Sequence, residues 1–70
     1  MRITYDAEVD ALSITFHETT VTTKELGDGI AAEYDSAGQL AGLEILDASR
    51  RFGSTEPLRQ LVVEGIGMTT

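Results

Sequence analysis

Over the first 46 positions the apolar residues come in short alternating runs, and clusters of Asp, Gly and Ser close the runs; this punctuation confines the chain to small antiparallel hairpins. Ile3 and Tyr5 alternate with Arg2 and Thr4, the period-two pattern of a half-buried strand. After the acidic stretch Asp6-Ala7-Glu8-Val9-Asp10, the clearest strand follows, with Leu12, Ile14 and Phe16 alternating with Ser13, Thr15 and His17. Residues 20–26 are dense in β-branched side chains, which pack well on a pleated surface, but little apolar material fixes their register. Gly27-Asp28-Gly29 predicts a tight turn, because an Asp-Gly pair between apolar alternations supplies positive φ at low cost. Ile30, Ala32 and Tyr34 form a fourth strand, ended by Asp35-Ser36-Ala37-Gly38.

Residues 39–46 are apolar on both sides of an extended chain, with Ala41, Leu43 and Ile45 on one and Leu40 and Leu46 on the other. Such a strand is expected to be central or covered on both faces. Gly42 inside it predicts a bulge or a close backbone approach. Asp47 is a good helix cap and Arg50-Arg51 suit a helix end, which predicts one or two turns stopped by Gly53. Ser54 or Thr55 can cap a second helix with Pro57 in its first turn. Leu58, Leu61 and Val62 have amphipathic helical spacing there, while Leu61-Val62-Val63 is β-branched enough that a strand over 58–64 stays open. The fold class that results is α+β, mostly β: an antiparallel five-stranded meander with a short C-terminal helix.

Seventy residues make one domain, with a β-rich core over residues 1–51 and a C-terminal segment over 52–70. A chain this short buries only about 60% of the surface it exposes when unfolded. Disulfides or a thiolate-bound metal usually close that gap, and neither is open to a chain without cysteine. Self-association is the expected remedy. The cysteine-free composition and the polar N-terminus, with no signal-peptide core and no membrane-length apolar run, make the cytoplasm the expected location. Twelve acidic residues against five basic ones give a net charge of -7, which disfavours nucleic-acid and anionic-membrane partners.

The residues Ile3-Thr4-Tyr5-Asp6, Asp10-Ala11-Leu12, Asp28-Gly29-Ile30, Gly38 and Gly42-Leu43-Glu44-Ile45-Leu46-Asp47-Ala48-Ser49, at this spacing, resemble the DUF2283 family of small bacterial and archaeal proteins of unassigned function. The resemblance runs over residues 1–51. It implies a small β-rich protein and, because some members are encoded beside toxin-like proteins, an antitoxin-like role. It supplies no catalytic residue.

The chemistry visible in the chain is sparse. Asp6, Glu8 and Asp10 sit two apart and are the candidate ligands for a divalent cation, although Ala11 and His17 stand where a calcium loop needs glycine and a bidentate acid. The bland reading is a solvated acidic turn. His17 is the single histidine, on the polar side of its strand, and reads as a surface residue. A Glu44 and Asp47 pair would meet only if the chain bends at Leu46. No serine has a nucleophile-elbow context, and Gly27-x-Gly29 is too short for a phosphate loop. No catalytic residue and no cofactor are therefore assigned.

Three readings follow. The first is a non-enzymatic homo-oligomeric module, with interface candidates Leu40, Leu43, Ile45, Leu46, Leu58, Leu61 and Val62. Its alternatives are an antitoxin-like acidic partner of a small basic protein and a weak divalent-metal protein using the acidic first turn.

Overall fold

The computed structural model describes residues 1–59, and the expected helix or strand over 58–64, with Leu61 and Val62, falls largely outside them. Five strands form: β1 (Arg2–Asp6), β2 (Ala11–Thr15), β3 (Thr22–Gly27), β4 (Ile30–Tyr34) and β5 (Leu40–Ile45). A short helix α1 (Ala48–Phe52) and a single 3-10 turn (Glu56–Leu58) follow. The sheet is antiparallel throughout, in the order β1-β2-β5-β4-β3.

The expected class, strand number and short helix are all present. The order is not that of a sequential meander, however. Only β3, β4 and β5 run as one; β2 takes β5 as its neighbour, and the β1-β2 hairpin attaches there. The physical reason lies in the side chains: Leu12 and Ile14 face Ile45 and Leu43, whereas β3 is exposed at every position and would bring a single large apolar residue, Leu26.

The registers sort the sheet into two faces. One carries the rows Ile3, Ile14, Leu43, Ala32, Lys24 and Tyr5, Leu12, Ile45, Ile30, Gly27. The opposite face carries Thr4, Ser13, Glu44, Ala31, Glu25 and Arg2, Thr15, Gly42, Glu33, Thr23. One face is thus mostly apolar and the other is built of hydroxyls, carboxylates, the Arg2 guanidinium and two tiny residues.

This arrangement corrects the expectation that β5 is apolar on both faces. β5 is central, but its register against β4 slips by one residue, so that Gly42 faces Glu33 while Leu40 faces Tyr34. Ala41 is the extra residue of a bulge, and past it Leu40 returns to the apolar side. Leu46 lies beyond the end of the strand. The bulge forms beside Gly42, where a Cβ would stand 2.6 Å from a Glu33 carboxylate oxygen and 2.9 Å from the Ile14 carbonyl oxygen. Only glycine lets the three strands close at that point.

The core is thin. Leu12, Ala31, Ala32, Ala41 and Ala48 are the buried hydrophobic residues, and no large side chain among the described residues is completely enclosed. Leu43 and Ile45 are half-buried, Ile3 is 41% exposed and Leu40 is 42% exposed. Among the described residues, one layer of sheet, five residues of helix and one 3-10 turn do not supply a full second layer.

Candidate functional site

Asp10 is the organising residue. It closes the β1-β2 turn in the left-handed conformation, φ 56°, which Asp tolerates better than most residues. That geometry aims its carboxylate at the start of α1, 39 residues away in sequence. The Ser49 N-H donates to both carboxylate oxygens at 3.0 and 3.2 Å, and the Ser49 hydroxyl donates to Oδ2 at 2.8 Å. The Ala48 N-H donates to the Asp10 carbonyl at 3.0 Å. Two of the helix's first N-H groups are therefore satisfied by the β1-β2 turn, which lies beside the end of β5 where the helix starts.

Asp47, the residue expected to cap this helix, does not do so. Its backbone is left-handed, φ 55°, and it makes no side-chain cap; its carboxylate instead accepts from Arg50 at 2.9 Å. Near the second turn, the Ser54 hydroxyl accepts from the Glu56 N-H at 3.2 Å, and Thr55 makes no cap.

Tyr5 completes the clamp by donating its phenol proton to Asp10 Oδ1 at 2.5 Å. The Tyr5 hydroxyl and the two Ser49 donors hold the Asp10 carboxyl below the usual carboxylate range. The same bond, with partial burial, pushes the Tyr5 phenol above its ordinary value. Asp10 accepts from Tyr5 and Ser49, and the Ser49 hydroxyl proton is spent on that bond, so the trio ties β1, the first turn and the start of α1 together.

The other candidate groups are dispersed. Asp6 Oδ1 accepts from the Glu8 N-H at 3.0 Å, Glu8 is exposed, and Asp10 is engaged as described, so the three acids of the first turn do not converge. Among the described residues no group of three or more His, Asp or Glu side chains is arranged to hold a metal. His17 lies 3.2 Å from Asp35, with its side chain half exposed. The Asp35 carboxylate also accepts from the Ala37 and Gln39 N-H groups at 2.9 Å each, and the Gln39 bond leads in lowering its pKa. Glu44 lies on the polar face, apart from Asp47 beyond the strand end.

Arg51 does for the far hairpin what Asp10 does for the near one. Its Nε donates to the Leu46 carbonyl at 2.8 Å, and its guanidinium lies 3.8 Å from Asp28. Gly29, φ +81°, leaves the space, since a Cβ there would stand 2.7 Å from Arg51 Nη2.

Over the β1-β2 end of the apolar face lies a cavity of about 360 Å³, with Ile3, Tyr5, Leu12 and Ile14 as its floor and Phe52, Pro57 and Leu58 as its roof. Leu58 is thus placed as an apolar contact, while the remaining described interface candidates, Leu40, Leu43, Ile45 and Leu46, are half-buried or exposed. No helix among the described residues is long and apolar enough to cross a membrane.

The role of Asp10 was missed because its partners are distant in sequence. The available signal was that the two Asp-Ala pairs, Asp10-Ala11 and Asp47-Ala48, belong to the motifs carrying the family resemblance. No curated protein and no solved structure matches the chain at a significant level. A family model, described as a protein of unknown function, DUF2283, matches residues 2–49, a stretch that includes Tyr5, Asp10 and Ser49; the chain belongs to that family.

Proposed function

We propose that this chain is a non-enzymatic interaction module that associates with a second copy of itself. The observation that carries the reading is the half-finished apolar layer: no large side chain is fully enclosed among the described residues, and Ile3, Leu40 and Phe52 are each 40% exposed or more. Exposed apolar area of this kind marks an association surface. The Ser49 hydroxyl is spent on Asp10 and the Asp10 carboxylate is held by Tyr5 and Ser49, which supports the non-enzymatic part.

Charge weighs against face-to-face contact through the polar side. Its two rows carry one charged residue, Lys24, whereas the polar face carries Arg2, Glu25, Glu33 and Glu44. Two copies meeting through the polar face would bring like carboxylates together.

Sedimentation over a concentration series, with melting temperature followed in parallel, tests the reading. A dimer whose melting temperature rises with concentration is expected. A concentration-independent monomer, as would result if residues 60–70 of the same chain complete the layer, contradicts it.

A second reading has its own observation. Glu25, Glu33 and Glu44 surround the small Ala31 on the polar face, a flat acidic surface suited to a basic protein such as a toxin-like neighbour. Failure to co-purify with a basic protein encoded next to it would count against that role.

A further inference from the structure

Among the described residues β1 and β3 form the two edges of the sheet, and their chemistry differs in a way that selects one of them. A two-fold axis that joins two edges antiparallel stands perpendicular to the sheet, so one residue must face its own copy and each face continues onto the same face. β1 reads Arg2-Ile3-Thr4-Tyr5-Asp6, with opposite charges at its ends. With the axis on Thr4, Arg2 faces Asp6 of the second copy and Ile3 faces its Tyr5, each twice. With the axis on Ile3 or Tyr5, Thr4 would instead face a charge.

We propose that the chain dimerises by antiparallel pairing of β1 with β1 of a second copy, centred on Thr4. The proposal rests on the self-association reading and adds its place and register. β1 is regular along its whole pairing with β2 and contains no proline, lysine or bulge to blunt it. β3 lacks such a match: an axis on Lys24 or Glu25 sets like charges face to face, an axis on Thr23 leaves Lys24 facing Thr22 with no opposite charge, and a bulge lies between Glu25 and Gly27.

The partner strand also completes the apolar layer where it is most open. Ile3, 41% exposed, and Tyr5 floor the cavity at the sheet's rim, and the second copy's Tyr5 would cover Ile3. Five paired residues fall short of the roughly 1,200 Å² of a stable interface; the roof residues Phe52 and Leu58, which line the cavity with Ile3 and Tyr5, would add apolar contact beside the axis. Arg2 now contacts Glu18 at 2.6 Å, but both side chains are mostly exposed, 68% and 65%, and the guanidinium keeps donors for Asp6 of the second copy.

Charge reversal tests this register in the full chain by sedimentation. R2D and D6R should each weaken the parent dimer on the order of tenfold or more, because two attractive pairs become repulsive. An equimolar mixture of R2D and D6R should recover dimers, since every facing pair is then opposite in charge. Recovery also shows that each variant folds. A dimeric parent indifferent to R2D, or a mixture that stays monomeric while both variants keep the parent's circular dichroism, overturns the β1 register and leaves self-association standing. A parent monomeric at every concentration overturns both.

Discussion

The two edges of the sheet are built from strands of similar length and differ in almost everything that surrounds them. β1 sits against the clamp of Tyr5, Asp10 and Ser49, beside the helix and the apolar cavity. β3 is exposed along all six residues and is tied to the rest through β4, with the Arg51 approach to Asp28 at its turn. The same sheet thus has one edge anchored by non-local contacts and chemically self-complementary, and another held by a local hairpin and without a complementary charge pair of its own. An edge strand whose charges pair with their own reflection is suited to receive a second copy, and one that lacks such pairs is not.

Breaking the anchored side should have the largest effect. D10A removes the acceptor of the Ser49 and Tyr5 bonds and places alanine at positive φ, an expected loss of about 2–3 kcal/mol. D10N tolerates the same backbone and should lose about half as much. Chemical denaturation of the three proteins side by side checks the order.

Acid provides a related test. The folded Asp10 and Asp35 carboxyls titrate below their unfolded values. Their contribution is therefore complete above the unfolded carboxylate range and declines as pH falls below about 4 toward their folded values. Denaturation between pH 2 and 6 should show a shallower acid decline in D10N than in the parent.

On the other side, R51A should lose about 1 kcal/mol, the value of one hydrogen bond to a carbonyl from a mostly covered guanidinium. Hydrogen exchange should locate that loss at the β3-β4 hairpin, with β1 and β2 unchanged. A global loss equal to that of D10A would erase the distinction between the two regions.

Much of the fold was legible because its signals are local. Alternation marked β1, β2 and β4, Gly27-Asp28-Gly29 marked the hairpin, and Gly42 marked the bulge. The strand order was not legible, since choosing β5 over β3 as the neighbour of β2 depends on matching Leu12 and Ile14 to Ile45 and Leu43 across some thirty intervening residues. The bulge at Ala41 also hid the side taken by Leu40, because one extra residue reverses the alternation on which face assignment depends.

The site was legible only in part for the same reason. Asp10 stood out as an acid in a turn and was read as a candidate metal ligand, while Asp47 looked like the natural cap by proximity. In the folded chain the left-handed backbone at both positions exchanges their roles: Asp47 turns outward to Arg50, and Asp10 reaches the helix from the turn of the neighbouring β1-β2 hairpin. Capping rules describe neighbours in sequence, and this cap is a neighbour in space.

A cysteine placed on each edge tests the central claim most directly, because the chain contains no thiol of its own. Facing residues of an antiparallel pair have Cα atoms about 4.5–5.5 Å apart, within disulfide reach. Under mild oxidation T4C should convert almost completely to a covalent dimer, while T23C on the opposite edge should stay monomeric. Equal cross-linking of the two, or none with T4C, would contradict the assignment of β1 as the edge that receives a second copy.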